Sequence, residues 1–175
     1  MASFELFAPH LLGNEGGYST DTNDKGNYYN GKFIGSKCGV SAPVLAHYLG
    51  RDITVEDMKA VTPQTALIIA KYRYWNKWLA DEINNQSIAE FLVDWEYNSG
   101  YYGIEIPQKV LGVEPDGFVG QLTITAVNSA DQQDLFNKLV QARLNFVENI
   151  VKVDPTQAGE LVGWKNRIAK FHFSE

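Results

Sequence analysis

The chain has 175 residues, 45% of them hydrophobic and 13% aromatic, enough to bury the core of one domain or of a domain with a small appendage. Fifteen basic against twenty-one acidic side chains leave a formal charge of −6, without the basic footprint that nonspecific nucleic-acid binding needs. One cysteine, Cys38, excludes an internal disulfide framework, and no apolar run approaches the ~20 residues of a membrane span.

Along the chain, residues 4–14 read as a helix interrupted or restarted at Pro9. Residues 18–41 are rich in Gly, Asn, Asp, Lys and Tyr and carry turn chemistry without a helical period. Asn30-Gly31 within them predicts a small β-hairpin. A short helix is expected over 44–49. Thr54-Val55-Glu56-Asp57 has the form of a capping box, and Thr62-Pro63 sets an N-cap before a first-turn proline. The helix after it is expected to turn Leu67, Ile68, Tyr72, Trp75 and Trp78 inward. Ser87-Ile88-Ala89-Glu90 reads as a second capping box. It opens a helix with Ile88, Phe91, Leu92 and Trp95 on one face, ended by Asn98-Ser99-Gly100. Further helices are predicted over 104–111, 120–127, a long stretch with Leu135, Phe136, Leu139, Val140, Leu144 and Val147 as its stripe, and 161–171. The expected class is mainly α: a lysozyme-like α+β fold with a small hairpin and loop region near 18–41.

The chemistry centres on His10-Leu11-Leu12-Gly13-Asn14-Glu15-Gly16-Gly17-Tyr18. Glu15 closes the opening helix, where the partial negative charge of the helix end disfavours a carboxylate. That field, with any burial, raises its pKa. A carboxylic acid kept protonated near neutral pH is what glycoside hydrolysis requires as a general acid. Gly16 and Gly17 remove side chains and let a substrate approach. A plain helix stop at Gly16, with Glu15 in solvent, accounts for the same residues. His10, His47 and His172 lack ligand spacing, so no metal site is expected. No phosphate-binding glycine loop is present.

Taken in order, Glu15-Gly16-Gly17-Tyr18, Gly39-Val40-Ser41, Tyr74-Trp75 and Asn98-Ser99-Gly100 resemble glycoside hydrolase family 108. Its members are lysozyme-like N-acetylmuramidases, also described as secretion activators. The run 111–120, Leu-Gly-Val-Glu-Pro-Asp-Gly-Phe-Val-Gly, with Thr123 and Ala126-Val127-Asn128, resembles the peptidoglycan-binding region that follows the catalytic part in that family. The resemblance implies a catalytic part over 1–100 and a helical peptidoglycan-binding part over 101–175, packed as one compact body. It implies cleavage of the β-1,4 bond after N-acetylmuramic acid, without metal or organic cofactor. Glu15 matches the family's catalytic glutamate. Asp24 matches an acidic position in a loop the family writes Asp-Pro-Gly-Gly, here Asp24-Lys25-Gly26-Asn27. Ser41 stands where the family has threonine.

Asp24 is the expected base and Asp21 the runner-up; each also suits a turn. Ser41 is expected to orient the attacking water, to cap the next helix, or both. Tyr18, Tyr28 and Tyr29 are candidates to stack on sugars. Asp94 and Asn98 share one helix face, which either lines a glycan groove or braces the helix. Trp75 and Trp95 are expected in the core. A lytic transglycosylase and a catalytically silent wall-binding or secretion-assembly protein are the competing functions. The expected partner is the glycan strand, with a holin or secretion apparatus as a further one, and the expected state is a monomer. Residues 1–5 show no secretory signal pattern, so synthesis in the cytoplasm and later delivery to the periplasmic wall is the expectation.

Overall fold

A computed structural model of the chain describes residues 1–12 and 17–175, with Leu12 described by its backbone alone. The chain divides into two compact units: Phe4–Arg73, and Met1–Ser3 together with Tyr74–Glu175. Both are mainly helical, as the sequence predicts.

The Phe4–Arg73 unit opens with α1 (Phe4–Leu12), which runs through Pro9 instead of breaking there. Pro9 lies on the exposed face, opposite buried Phe4, Phe7 and Leu11, so the missing N–H falls on the solvent side. A single 3-10 turn (Lys25–Asn27) leads into the antiparallel hairpin of β1 (Tyr28–Tyr29) and β2 (Lys32–Phe33), with Tyr28 opposite Phe33. Asn30 and Gly31 turn it with φ of 49° and 74°, the positive pair that a two-residue hairpin turn needs. Then come α2 (Ala42–Leu49), α3 (Val55–Lys59) and α4 (Pro63–Ala70). Thr54 and Asp57 form the predicted capping box, and Thr62 Oγ1 accepts from the Thr65 N–H. Ile34, Val40, Leu45, Ala46, Ile53, Met58, Val61, Ala66 and Ile69 make the core beneath the hairpin. On α4 the buried residues are Ala66, Ile69 and Ala70, whereas Ile68 and Tyr72, expected inside, are exposed. A π-helical turn, Lys71–Trp75, follows α4 and changes the phase of the pattern.

In the other unit, Trp75 and Trp78 are fully buried, and α5 (Gln86–Ser99) is the central element. Every residue from Ser87 to Glu96 is buried, including the predicted Ile88, Phe91, Leu92 and Trp95, so this helix is enclosed on all sides. Its cap is Asn85, whose side chain accepts from the Ile88 N–H; the Ser87 box does not form. Ser87 sits one step inside the helix, and its hydroxyl meets Ser174. Around α5 lie α6 (Tyr102–Leu111), α7 (Gln121–Ser129), the long α8 (Gln132–Val153) and α9 (Leu161–Ile168). α6 crosses α5 at Gly103, where a Cβ would collide with the backbone of Trp95 and Glu96. No helix among the described residues is long and apolar enough to cross a membrane.

Candidate functional site

Glu15 and Gly16, with the end of the predicted acid-bearing segment, lie outside the described residues. The rest of the loop is built from side chains that bond to its own backbone. Asp21 Oδ1 accepts from the Asn23 N–H at 2.8 Å, and Asp24 Oδ1 from the Gly26 N–H at 2.8 Å. These are turns held by short polar side chains. Asn27 is buried among these turns. Its side-chain amide donates to the Asp21 carbonyl at 2.7 Å, and its backbone carbonyl accepts from the Ile34 and Gly35 N–H groups at 2.8 and 2.9 Å. The Tyr28 hydroxyl donates to Thr22 O at 3.0 Å, and its ring meets Phe33 edge-on.

Tyr18 is fixed by the fold. Its hydroxyl donates to Ile34 O at 2.8 Å, Lys59 Nζ stands 5.5 Å from its ring centre, and the ring covers Gly35. Gly35 has φ of 86°, and a Cβ there would run into the ring. Gly17 is exposed, and none of the described residues lies within 4 Å of where its side chain would start.

The loop brings Asp24 and Ser41 together. Both pack against Gly26: a Cβ there would lie 3.1 Å from Asp24 Oδ1 and 3.4 Å from Ser41 Cβ. Ser41 is the N-cap residue of α2, with Pro43 in the first turn, yet its hydroxyl makes no capping bond. That hydroxyl has no hydrogen-bond partner among the described residues. Asp24 is exposed and uses one oxygen on Gly26; the other carries no bond among the described residues. Asp24 and Ser41 thus flank Gly26, each with bonding capacity left among the described residues.

Asp94 and Asn98 belong to the other unit. Asp94 is 3% exposed and is shared by two guanidiniums. Arg143 Nη2 donates to Asp94 Oδ2 at 2.9 Å, while Arg167 Nη2 and Nε reach Oδ1 at 2.7 and 3.1 Å. Arg143 is itself buried, its guanidinium over the rings of Phe91 and Trp95. Burial pushes its guanidinium below the ordinary value, and Asp94 pulls it back up. Asn98 is exposed and donates to the Asp94 carbonyl at 3.1 Å. Sequence reasoning did not name the two arginines. Arg143 was detectable: it falls in register with Leu139 and Val147, and a charge inside an apolar stripe signals a buried partner. Gln108 was missed too. Its buried amide donates to Asp116 Oδ1 and Phe118 O, both at 2.9 Å, and accepts from the Gly117 N–H at 2.9 Å. Asp116 also accepts from the Phe118 N–H, and these bonds hold its carboxyl below the usual range. No group of three metal-ligating side chains occurs among the described residues.

The helical body and the polar hairpin loop place the molecule among lysozyme-like folds. The chain belongs to the glycosyl hydrolase 108 family, whose model matches residues 8–100. Residues 102–169 match the model of a predicted peptidoglycan domain. Among solved structures, that of SagA from Brucella abortus is similar, with a TM-score of 0.76 and 26% identity over 96% of this chain and 94% of that one. No curated protein matches. A glycosidase-family protein with a role at peptidoglycan is the function class these matches define.

Proposed function

We propose that the chain is an N-acetylmuramidase. Residues 1–100 are the catalytic part and residues 101–175 the part that holds the wall. Glu15 gives its proton to the glycosidic oxygen between N-acetylmuramic acid and N-acetylglucosamine. Water attacks the anomeric carbon as positive charge builds there, and Asp24 takes the proton that water loses. Ser41 orients that water. Gly16 and Gly17 leave room for the sugar, and Tyr18 shapes the loop beside it. The products are a reducing muramic end and a free 4-hydroxyl. The protein works as a monomer on wall glycan after delivery from the cytoplasm by a holin or secretion apparatus.

The observation that carries this reading is the pairing of Asp24 with Ser41 around Gly26, with bonding capacity left on both. It occurs inside the region that matches the glycosidase family. A carboxylate and a hydroxyl on one loop, both with unused capacity, are the groups a base and a water-orienting residue require. Asp94 enters the reading as a brace, since both its oxygens are engaged by arginine.

The test is digestion of purified sacculi by wild type, Glu15→Gln and Asp24→Asn, followed by turbidity and mass spectrometry of the fragments. Loss of a general acid or base costs about 10²–10⁴ in rate. Wild type is expected to release reducing muramic ends, with both variants slower by that order. Anhydro-muramic ends would convert the reading to a lytic transglycosylase. Wall binding with no turbidity loss, equal in wild type and Glu15→Gln, would leave a silent binding protein.

A further inference from the structure

A cavity of about 140 Å³ lies in the Tyr74–Glu175 unit, lined by Asn98 of α5, by Arg143, Phe146 and Ile150 of α8, and by Trp164 and Arg167 of α9. The chemistry of its wall is one-sided. Two arginines line it, and among the described residues no acidic side chain does. Asp94 engages Nη2 of Arg143, but Nη1 is buried with no hydrogen-bond partner among the described residues. A buried guanidinium N–H without an acceptor is costly, and native proteins resolve it with a water or a ligand oxygen. The rest of the lining is largely aromatic and aliphatic, with Phe146, Ile150 and Trp164.

We infer that this cavity binds a small carboxylate on an aliphatic carbon, the chemistry of a peptide's terminal alanine. An acceptor-only, planar anion matches the donor fork of arginine in geometry as well as charge. Asn98 supplies a side-chain amide at the exposed edge. The volume is close to the ~150 Å³ of an engineered cavity that takes up benzene, enough for an alanine-sized group. Asp94 is then a positioning residue: it holds both arginines from behind and does not touch the ligand. The inference rests on the reading that the chain meets peptidoglycan, and it adds the peptide portion of that polymer to what is recognised.

Trp164 lines the cavity, so its fluorescence reports occupancy. The full chain is titrated with N-acetyl-D-alanine, with its neutral amide and with inorganic phosphate, and the heats are measured in parallel. The acid is expected to bind at least tenfold more tightly than the amide or phosphate. Arg167→Gln, which leaves the Arg143–Asp94 pair, is expected to weaken the acid at least tenfold. Trp164→Phe should remove the fluorescence response and keep the heat. Equal binding of acid and amide, or of acid and phosphate, overturns the inference. So does an Arg167→Gln protein, folded by circular dichroism, that binds within twofold of wild type. Should that variant not fold, Ile150→Phe, which fills the cavity and spares the ion pairs, is expected to abolish binding; retained binding overturns the site. Sacculus digestion is run on the same samples. Cleavage without acid binding strikes this inference alone, and acid binding without cleavage strikes the muramidase reading alone.

Discussion

Residues 17–41 and residues 112–120 are both turn-rich loops, yet they hold their shape in opposite ways. The first is tied by many small local bonds: Asp21 to Asn23, Asp24 to Gly26, Tyr28 to Thr22, and Tyr18 to Ile34. The second is gathered chiefly by one buried side chain, Gln108, which bonds Asp116, Gly117 and Phe118 together, with the Tyr101 ring and hydroxyl against Gly117 and Pro115. A distributed scheme tolerates the loss of any one bond and leaves polar groups at the rim unspent. A single pivot gives a rigid loop but concentrates the risk. Free groups for chemistry therefore sit on the first loop, whereas the second presents Phe118, 76% exposed, on a fixed frame beside Leu122, 83% exposed.

The comparison breaks most visibly at its pivot. Gln108→Ala strands the Gly117 N–H and the Phe118 carbonyl and frees Asp116. The buried Gly117 N–H left without a partner costs about 1–3 kcal/mol and the more exposed Phe118 carbonyl adds less, so a loss of about 3 kcal/mol is expected. Because the chain has two compact units, one global unfolding curve would blur the effect. Amide exchange resolves it: Gly117 and Phe118 should lose protection while Ile34 and Gly35 keep theirs. Matching losses in both loops would contradict the division drawn here.

In the distributed loop the sharpest single lesion is steric. Gly35 has φ of 86° beneath the Tyr18 ring. Gly35→Ala places a side chain in the left-handed region and pushes the ring aside, at about 2–3 kcal/mol. The Ile34 and Gly35 amides, which both bond Asn27 O, should exchange faster. Tyr28 and Asp24 have their own anchors, so the rest of the loop is expected to hold, and the Gly117 amide should not change.

The part of this architecture legible in sequence was the part written locally. Asn30-Gly31 names its own turn, and Thr54 and Thr62 name their helix starts, because the partner of each is within three residues. Ile88, Phe91, Leu92 and Trp95 repeat at helical spacing and are buried. Ser87 misled because Asn85 is an equally good cap two residues earlier, and the Ser87 hydroxyl bonds Ser174, distant in sequence, instead. The α4 face misled because the reading favoured large side chains, whereas alanines at 66 and 70 let α4 pack closely and the π-helical turn then moves the period. At the candidate site, Asp24 and Ser41 were named separately and their meeting at Gly26 was not foreseeable from spacing. The same holds for Asp94, whose arginines come from α8 and α9.

The smallest expected effect lies in acid. Asp116 is exposed, and its carboxyl is held below the ordinary value first by the Phe118 N–H and then by the Gln108 amide. A lowered folded pKa means that its contribution is fully present above the unfolded value of ~3.9 and is lost as pH falls through the folded one. Protection of the Phe118 amide should therefore be flat from pH 7 to 5 and decline only below ~3.9. Gly117 bonds the neutral Oε1 of Gln108, which does not titrate, so its protection should persist where that of Phe118 fades. If both amides open together in acid, the carboxylate and not the amide is what holds the loop, and the single pivot must be reassigned to Asp116.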